Sequence, residues 1–302
     1  MRKEILGTIL ALITAFISGL AIPINKIFVV DLDPTVFTAF RALFIGVIFY
    51  ILASFQSKSK YKGFKKVPWK YLLAIAVIGG SFAFLMFFTG LKLTTAGRGA
   101  FLHKTLPLYI TIFAFLFLKE KISQRQVLAL AIMFIGTILI YSAKITSFGF
   151  WPDPSLGDLL VIGATILWAI ESTISKKVMI DGESNFVVSF ARMFIGGIIL
   201  FAIIILQDKI GLILALTAQQ MINLAISIAI LFGYVFSWYW SIELINVSKA
   251  STLLLLAPVI SLILGMIIFS EPVPNLQLFG SALILIGAYF VINVRSEFST
   301  GV

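Results

Sequence analysis

Residues 7–26, GTILALITAFISGLAIPINK, and residues 157–176, GDLLVIGATILWAIESTISK, are the two stretches on which the fold turns. Each is a mainly apolar run of the length that crosses a bilayer as a helix, about 20 residues. Laid over one another at a shift of 150, they bring Gly7 onto Gly157 and Lys26 onto Lys176. The agreement runs outward at a shift of 151. Arg41 meets Arg192, within Phe40-Arg41-Ala42 and Ala191-Arg192-Met193. Arg98 meets Lys249, Pro107 meets Pro258, Glu120 meets Glu271, Gln126 meets Gln277 and Gly136 meets Gly287. This many coincidences at nearly one shift imply a duplicated unit, residues 1–148 and 149–302.

The whole chain has the character of those stretches. Of its 302 residues 60% are hydrophobic and 12% charged, against about 45–50% and about 25% in soluble domains. One water-facing domain cannot hide that much apolar surface, so the natural solvent is lipid. Helices satisfy their own backbone hydrogen bonds there, and the runs are too long and too continuous for barrel strands. We read ten spans: Ile5–Asn25, Thr35–Ser54, Tyr71–Leu91, Gly97–Leu118, Arg125–Ala143, Gly157–Lys176, Phe186–Leu206, Met221–Ile242, Lys249–Phe269 and Leu276–Val294. Within 207–220 the apolar piece Ile210–Leu216 is too short to span and reads as an interfacial turn or an extension of a neighbour. Met1-Arg2-Lys3 before Ile5–Leu20 resembles a signal peptide, but with no soluble domain after it the segment reads as a retained first span.

The fold class is therefore all-α integral membrane, ten transmembrane helices in two inverted five-helix repeats. Five is odd, so the second unit enters the membrane from the opposite side, an architecture recurrent in secondary transporters, where two halves rock about a central site. The net charge of +10 in a soluble protein would suggest nucleic acid. Here the basic residues lie between apolar runs and act as topology signals, so no nucleic-acid partner is expected. With the N-terminus inside, the inner segments hold fifteen Lys and Arg, including six lysines from Lys58 to Lys70, and the outer segments five. Both termini then face the cytoplasm, in a multi-pass protein of the cytoplasmic membrane. The Lys58–Lys70 loop also suits contact with anionic membrane lipids.

The stretches Ala11–Lys26 and Thr165–Lys176, the pairs Phe40-Arg41 and Phe190-Ala191-Arg192, and the pattern Pro107…Phe117-Leu118-Lys119-Glu120-Lys121 carry a family resemblance. So does the counterpart Pro258…Ile268-Phe269-Ser270-Glu271-Pro272, followed by Gln277 and Gly280. Over nearly its whole length the chain resembles the drug/metabolite transporter superfamily, in its EamA-type ten-helix form. The resemblance implies transport of small molecules, often outward; members move amino acids, drugs, nucleotide sugars or sugar phosphates.

A charge at mid-bilayer costs about 2.5–3.5 kcal/mol on insertion scales, so intramembrane ionisable residues are functional candidates. They are Arg41, His103, Lys104, Glu171 and Arg192. Arg41 and Arg192 are duplicated, which favours a scaffold role such as tying helix ends. Glu120 and Glu271, also duplicated, read as structural or gating charges. His103, Lys104 and Glu171 are unduplicated: they align with Leu254, Leu255 and Leu20 or Ala21. An asymmetric cargo requires such asymmetry. Trp168, Asn25, Tyr234, Trp238 and Trp240 complete an expected substrate-binding set with aromatic walls, although Trp238 and Trp240 equally suit an interfacial belt, and the nearby serines and threonines suit close helix packing. Lys104 or His103 would meet a carboxylate and Glu171 an amine. Pro107 and Pro258 remove helix hydrogen bonds mid-span and are candidate hinges.

The function read from these features is secondary transport of small metabolites by alternating access, with export of amino acids or related compounds foremost. The alternative is a lipid scramblase or a non-transporting receptor or assembly protein. Absence of cysteine excludes disulfides, thiolate catalysis and Cys-based metal sites, no His-Glu-x-x-His pattern is present, and no enzyme activity, metal or cofactor is expected. Glu171 or His103 could carry a coupling proton.

Overall fold

The computed structural model describes residues 2–56, 68–145, 153–269 and 273–296. Ten of its helices are long and apolar enough to cross a membrane. They are α1 (Arg2–Val30), α2 (Pro34–Ser54), α3 (Trp69–Leu93), α4 (Ala96–Leu118), α5 (Gln124–Ile145), α6 (Leu156–Ile180), α7 (Asn185–Leu206), α8 (Ala218–Leu244), α9 (Val247–Leu264) and α10 (Asn275–Ile292). The expected spans match within a few residues. Residues 207–220 do not extend a neighbouring helix; between turns at 207–208 and 215 they hold a short exposed helix, Ile210–Leu214.

Helix starts are set by side chains that partner the first free N–H groups, which lipid cannot satisfy. Asp33 accepts from the amides of Thr35 (2.8 Å) and Val36 (3.3 Å), with Pro34 in the first turn of α2. Ser155 with Asp158 and Thr217 with Gln220 form reciprocal capping boxes on α6 and α8. Thr95 and Ser184 cap α4 and α7. The helices' outward faces stay apolar, as Ile5, Ile9, Ile13 and Phe16 of α1 and Phe44, Val47, Ile48 and Ile51 of α2 show. Such a surface would associate in water and is an ordinary exterior in lipid.

The packing obeys the repeat. Under exchange of the two units α1 becomes α6, α2 becomes α7, and so on to α5 and α10. The principal contacts map onto themselves: α1 packs on α8 and α6 on α3, α1 on α9 and α6 on α4, α2 on α7, α4 on α9, and α5 on α10. Ion pairs follow the same rule at the two membrane faces. Lys249 at the start of α9 reaches Glu4 of α1 at 2.7 Å, and its equivalent Arg98 at the start of α4 reaches Asp158 of α6 at 3.5 Å. The duplicated prolines sit at matching irregularities. α4 is interrupted at Lys104–Thr105 just before Pro107, and α9 tightens into a 3-10 turn over Leu254–Leu256 just before Pro258.

The short helix is tied to the start of α2 by Lys209, whose Nζ donates to Asp33 Oδ2 at 2.9 Å. Partial burial pushes the Asp33 carboxyl up, but the Lys209 ammonium and the Val36 and Thr35 amides outweigh it and hold the pKa below the ordinary 3.8. A depressed folded pKa gives stability that is present above the unfolded value and lost as pH falls through the folded one. Hydrogen exchange at residues 208–216 is therefore expected to stay constant from pH 7 to 5 after correction for intrinsic rates, and to quicken below pH 3.8. Asp33→Asn should show the faster exchange at every pH.

Candidate functional site

A cavity of about 80 Å³ lies between the repeats, lined from α1, α2, α3, α4, α6, α7 and α8. That is room for several waters. Its walls are aromatic: Phe84, Phe87 and Phe88 of α3, Trp168 of α6, and Tyr234 and Trp238 of α8. Trp168 packs against Phe84 and Phe87 with ring centroids 5.3 and 5.0 Å away, and its Nε1 donates to the Gly79 carbonyl at 3.1 Å. His103 stands edge-on to Phe87 (5.3 Å) and Trp168 (5.4 Å), and its Nδ1 has no hydrogen-bond partner.

Behind one wall lies a buried ion pair. Glu171, fully buried, accepts from Ser175 Oγ and Tyr239 OH, each at 2.5 Å, through Oε1. Its Oε2 faces Arg192 Nε at 3.7 Å, close enough for charge pairing but not for a hydrogen bond. The Arg192 guanidinium also lies over the rings of Phe84 (5.1 Å) and Tyr239 (5.6 Å). The pair fits because α3 comes close. α3 and α7 both widen into π-helical turns, Ala76–Phe82 and Ala191–Ile195. A side chain at Gly79 would run into Glu171, and one at Gly80 into the Arg192 carbonyl.

Two other cations flank the cavity without a carboxylate. Lys104, 3% exposed, donates from Nζ to Ser18 Oγ at 2.9 Å. Arg41, 1% exposed, lies over Phe37 (4.4 Å) and Phe88 (4.7 Å), and its Nε and Nη1 have no hydrogen-bond partner. Its contact with Phe88 joins α2 to α3 through a ring and not through a hydrogen bond or an ion pair. Among the described residues no carboxylate lies within ion-pair distance of either cation.

The EamA-like transporter family model matches this chain twice, over residues 5–142 and 155–293. The chain belongs to the EamA-like transporter family. It is 28% identical over 301 residues to an uncharacterized transporter of Archaeoglobus fulgidus, covering 98% of this chain and all of that one. It is 26% identical over 266 residues to the uncharacterized transporter YyaM of Bacillus subtilis, covering 84% and 83% of the two chains. A solved crystal structure shares the fold with a TM-score of 0.76 at 18% identity, over 94% of this chain and 95% of that one. The protein is thus a multi-pass membrane transporter.

In this transporter Asn25, His103, Trp168, Tyr234 and Trp238 line the cavity, and Asn25 Oδ1 accepts from Ser227 at 2.5 Å. Lys104 and Glu171 stand one layer back, each reaching the cavity through a neighbour: Ser18 for Lys104, Arg192 for Glu171. Trp240 is not among the lining residues; it packs edge-on against Phe236 at 5.3 Å. Glu120, at the end of α4, accepts from the Val247 and Ser248 amides (2.9 and 3.1 Å) and from Ser248 Oγ (2.5 Å), capping α9. Glu271 falls outside the described residues. The α3 aromatics escaped sequence reading; their spacing at 84, 87 and 88 marks one helical face, a signal shared with any packed helix.

Two outcomes follow for stability in detergent. Gly80→Ala should cost about 1–3 kcal/mol by overpacking on the Arg192 carbonyl, whereas Gly163→Ala, which meets only the flexible end of Met86, should be nearly silent in thermal unfolding. Glu171→Gln keeps an acceptor for Tyr239 and Ser175 but strands Arg192, so it should cost about 3–5 kcal/mol. Adding Arg192→Gln should recover part of that loss, read from a double-mutant cycle.

Proposed function

We propose that the protein is a secondary transporter that exports small metabolites, amino acids or related compounds first among them, across the cytoplasmic membrane by alternating access. The observation that carries this reading is the position of the cavity, enclosed by helices of both repeats and lined by groups the duplication does not share. Inverted halves about a midplane site are the means by which one half rocks against the other. The volume of about 80 Å³ is below the ~300–1,000 Å³ of drug-sized ligand pockets, which favours a small cargo over a drug or a nucleotide sugar.

With both termini in the cytoplasm, the face holding Glu4, Glu120 and Lys249 is the inner one. There Glu120 grips the start of α9, Lys249 bonds Glu4 and the Val294 carbonyl (2.6 Å), and Lys176 bonds the Ile242 and Ile245 carbonyls (2.6 and 3.0 Å). These bonds form the inner gate, and cargo loaded from the cytoplasm must wait for them to break. Pro107 and Pro258, beside the irregular turns of α4 and α9, are the hinges. Glu171 or His103 takes part in proton coupling. A lipid scramblase is the competing reading.

Purified protein in proteoliposomes should move at least one member of a small-metabolite panel against no added ATP, and Trp238→Ala should cut the initial rate about tenfold or more by opening the wall. Labelled phospholipid exchange without metabolite flux selects the scramblase instead. Because the chain lacks cysteine, a single Ser57→Cys label accessible only from the cytoplasmic side checks the orientation.

A further inference from the structure

We propose that Arg41 is the anion-binding residue of the transport cavity, and that the cargo itself brings the carboxylate or phosphate which neutralises it. This deepens the transport reading and rests on it for the word cargo.

The repeat supplies the comparison. Arg41 and Arg192 are equivalent positions, yet only Arg192 has a built-in counter-charge. At the same shifts, Glu171 corresponds to Leu20 or Ala21, and Tyr239 to Phe88. The first repeat therefore keeps the cation and the ring above it but replaces both oxygen-bearing partners with hydrocarbon. Ala21 and Phe88 line the cavity beside Arg41. Where the second repeat has Glu171, the first has Leu20 or Ala21, and Ala21 lines the cavity.

An uncompensated guanidinium away from water is expensive, and here two of its nitrogens lack any partner. Phe37 and Phe88 hold its plane but bring no formal charge. Lys104 adds a second cation behind Ser18. The Glu171 carboxylate is committed to Arg192, Tyr239 and Ser175. Arg41 thus brings to the cavity wall a guanidinium with no carboxylate partner among the described residues, a planar donor fork suited to a carboxylate or phosphate. Among the described residues lining the cavity there is no Asp or Glu to meet an ammonium group. Within the amino acids and related compounds of the transport reading, the expected class is therefore the net-anionic acids, ahead of net-neutral zwitterions and cations.

The test uses the full-length protein in detergent at constant ionic strength, with succinate, inorganic phosphate, L-lysine and choline as probes, read by thermal shift and by titration of tryptophan fluorescence. Succinate or phosphate should bind and stabilise, and whichever binds more tightly identifies the anion; L-lysine and choline should do neither. Arg41→Gln should weaken anion binding about tenfold or more. Ala21→Glu, which restores the missing counter-charge, should abolish the anion response while the unfolding temperature without ligand holds or rises. That second variant decides the matter if Arg41→Gln does not fold. Absence of any anion response in the wild type, an anion response unchanged in Ala21→Glu, or stabilisation by the cations alone overturns the proposal. Flux of only cationic or neutral compounds would overturn it while leaving transport standing; Arg41-dependent anion binding without flux would do the reverse.

Discussion

Inside a bilayer a charged group has no water to fall back on, so each buried charge must be matched by a neighbour or by something that arrives. Glu171 and Arg192 meet that demand inside the chain. Arg192 of α7 and Tyr239 of α8 both converge on Glu171 of α6, which Ser175 of the same helix also holds. The pairing also requires α3 to come close enough that only glycine fits at positions 79 and 80. The π-helical turns of α3 and α7 belong to the same cluster, at the place where such turns often mark function. The cavity sits against this cluster, with Arg192 and Trp168 forming part of both.

The pseudo-two-fold symmetry makes the other half of the molecule a control for the first. Helix contacts are repeated, and so are ion pairs between equivalent helices, Lys249–Glu4 against Arg98–Asp158, although the two carboxylates stand at different positions of α1 and α6. The centre is where repetition stops. Gly79 and Gly80 correspond to Ile230 and Leu231, Glu171 to Leu20 or Ala21, Tyr239 to Phe88, and Lys104 to Leu255. A symmetric scaffold can rock about its axis, while an asymmetric centre can hold a molecule that is itself asymmetric.

Much of this was legible in the residues. Apolar runs with sparse charge announce spans because the bilayer sets their length, and the 150-residue self-match announces the repeat. His103, Lys104 and Glu171 stood out because they break that match. Other features were not legible. Arg41 and Arg192 look alike in sequence and differ in surroundings, since their partners come from other helices. Trp238 and Trp240 are two residues apart, yet one faces the cavity and the other packs on Phe236; two residues on a helix are turned about 200° apart, and sequence alone does not say which side faces in. Phe84, Phe87 and Phe88 gave no functional signal, because aromatic stripes also serve ordinary packing.

The sequence by itself determined that this chain lives in lipid, crosses it ten times and was built by doubling. Those conclusions depend on local quantities: hydrophobicity over a helical length and similarity at a fixed shift. Only the tertiary structure decided which charges are spent and which are left over. Charge compensation depends on distances between side chains far apart in the chain, and those distances exist only once α3, α6, α7 and α8 have packed.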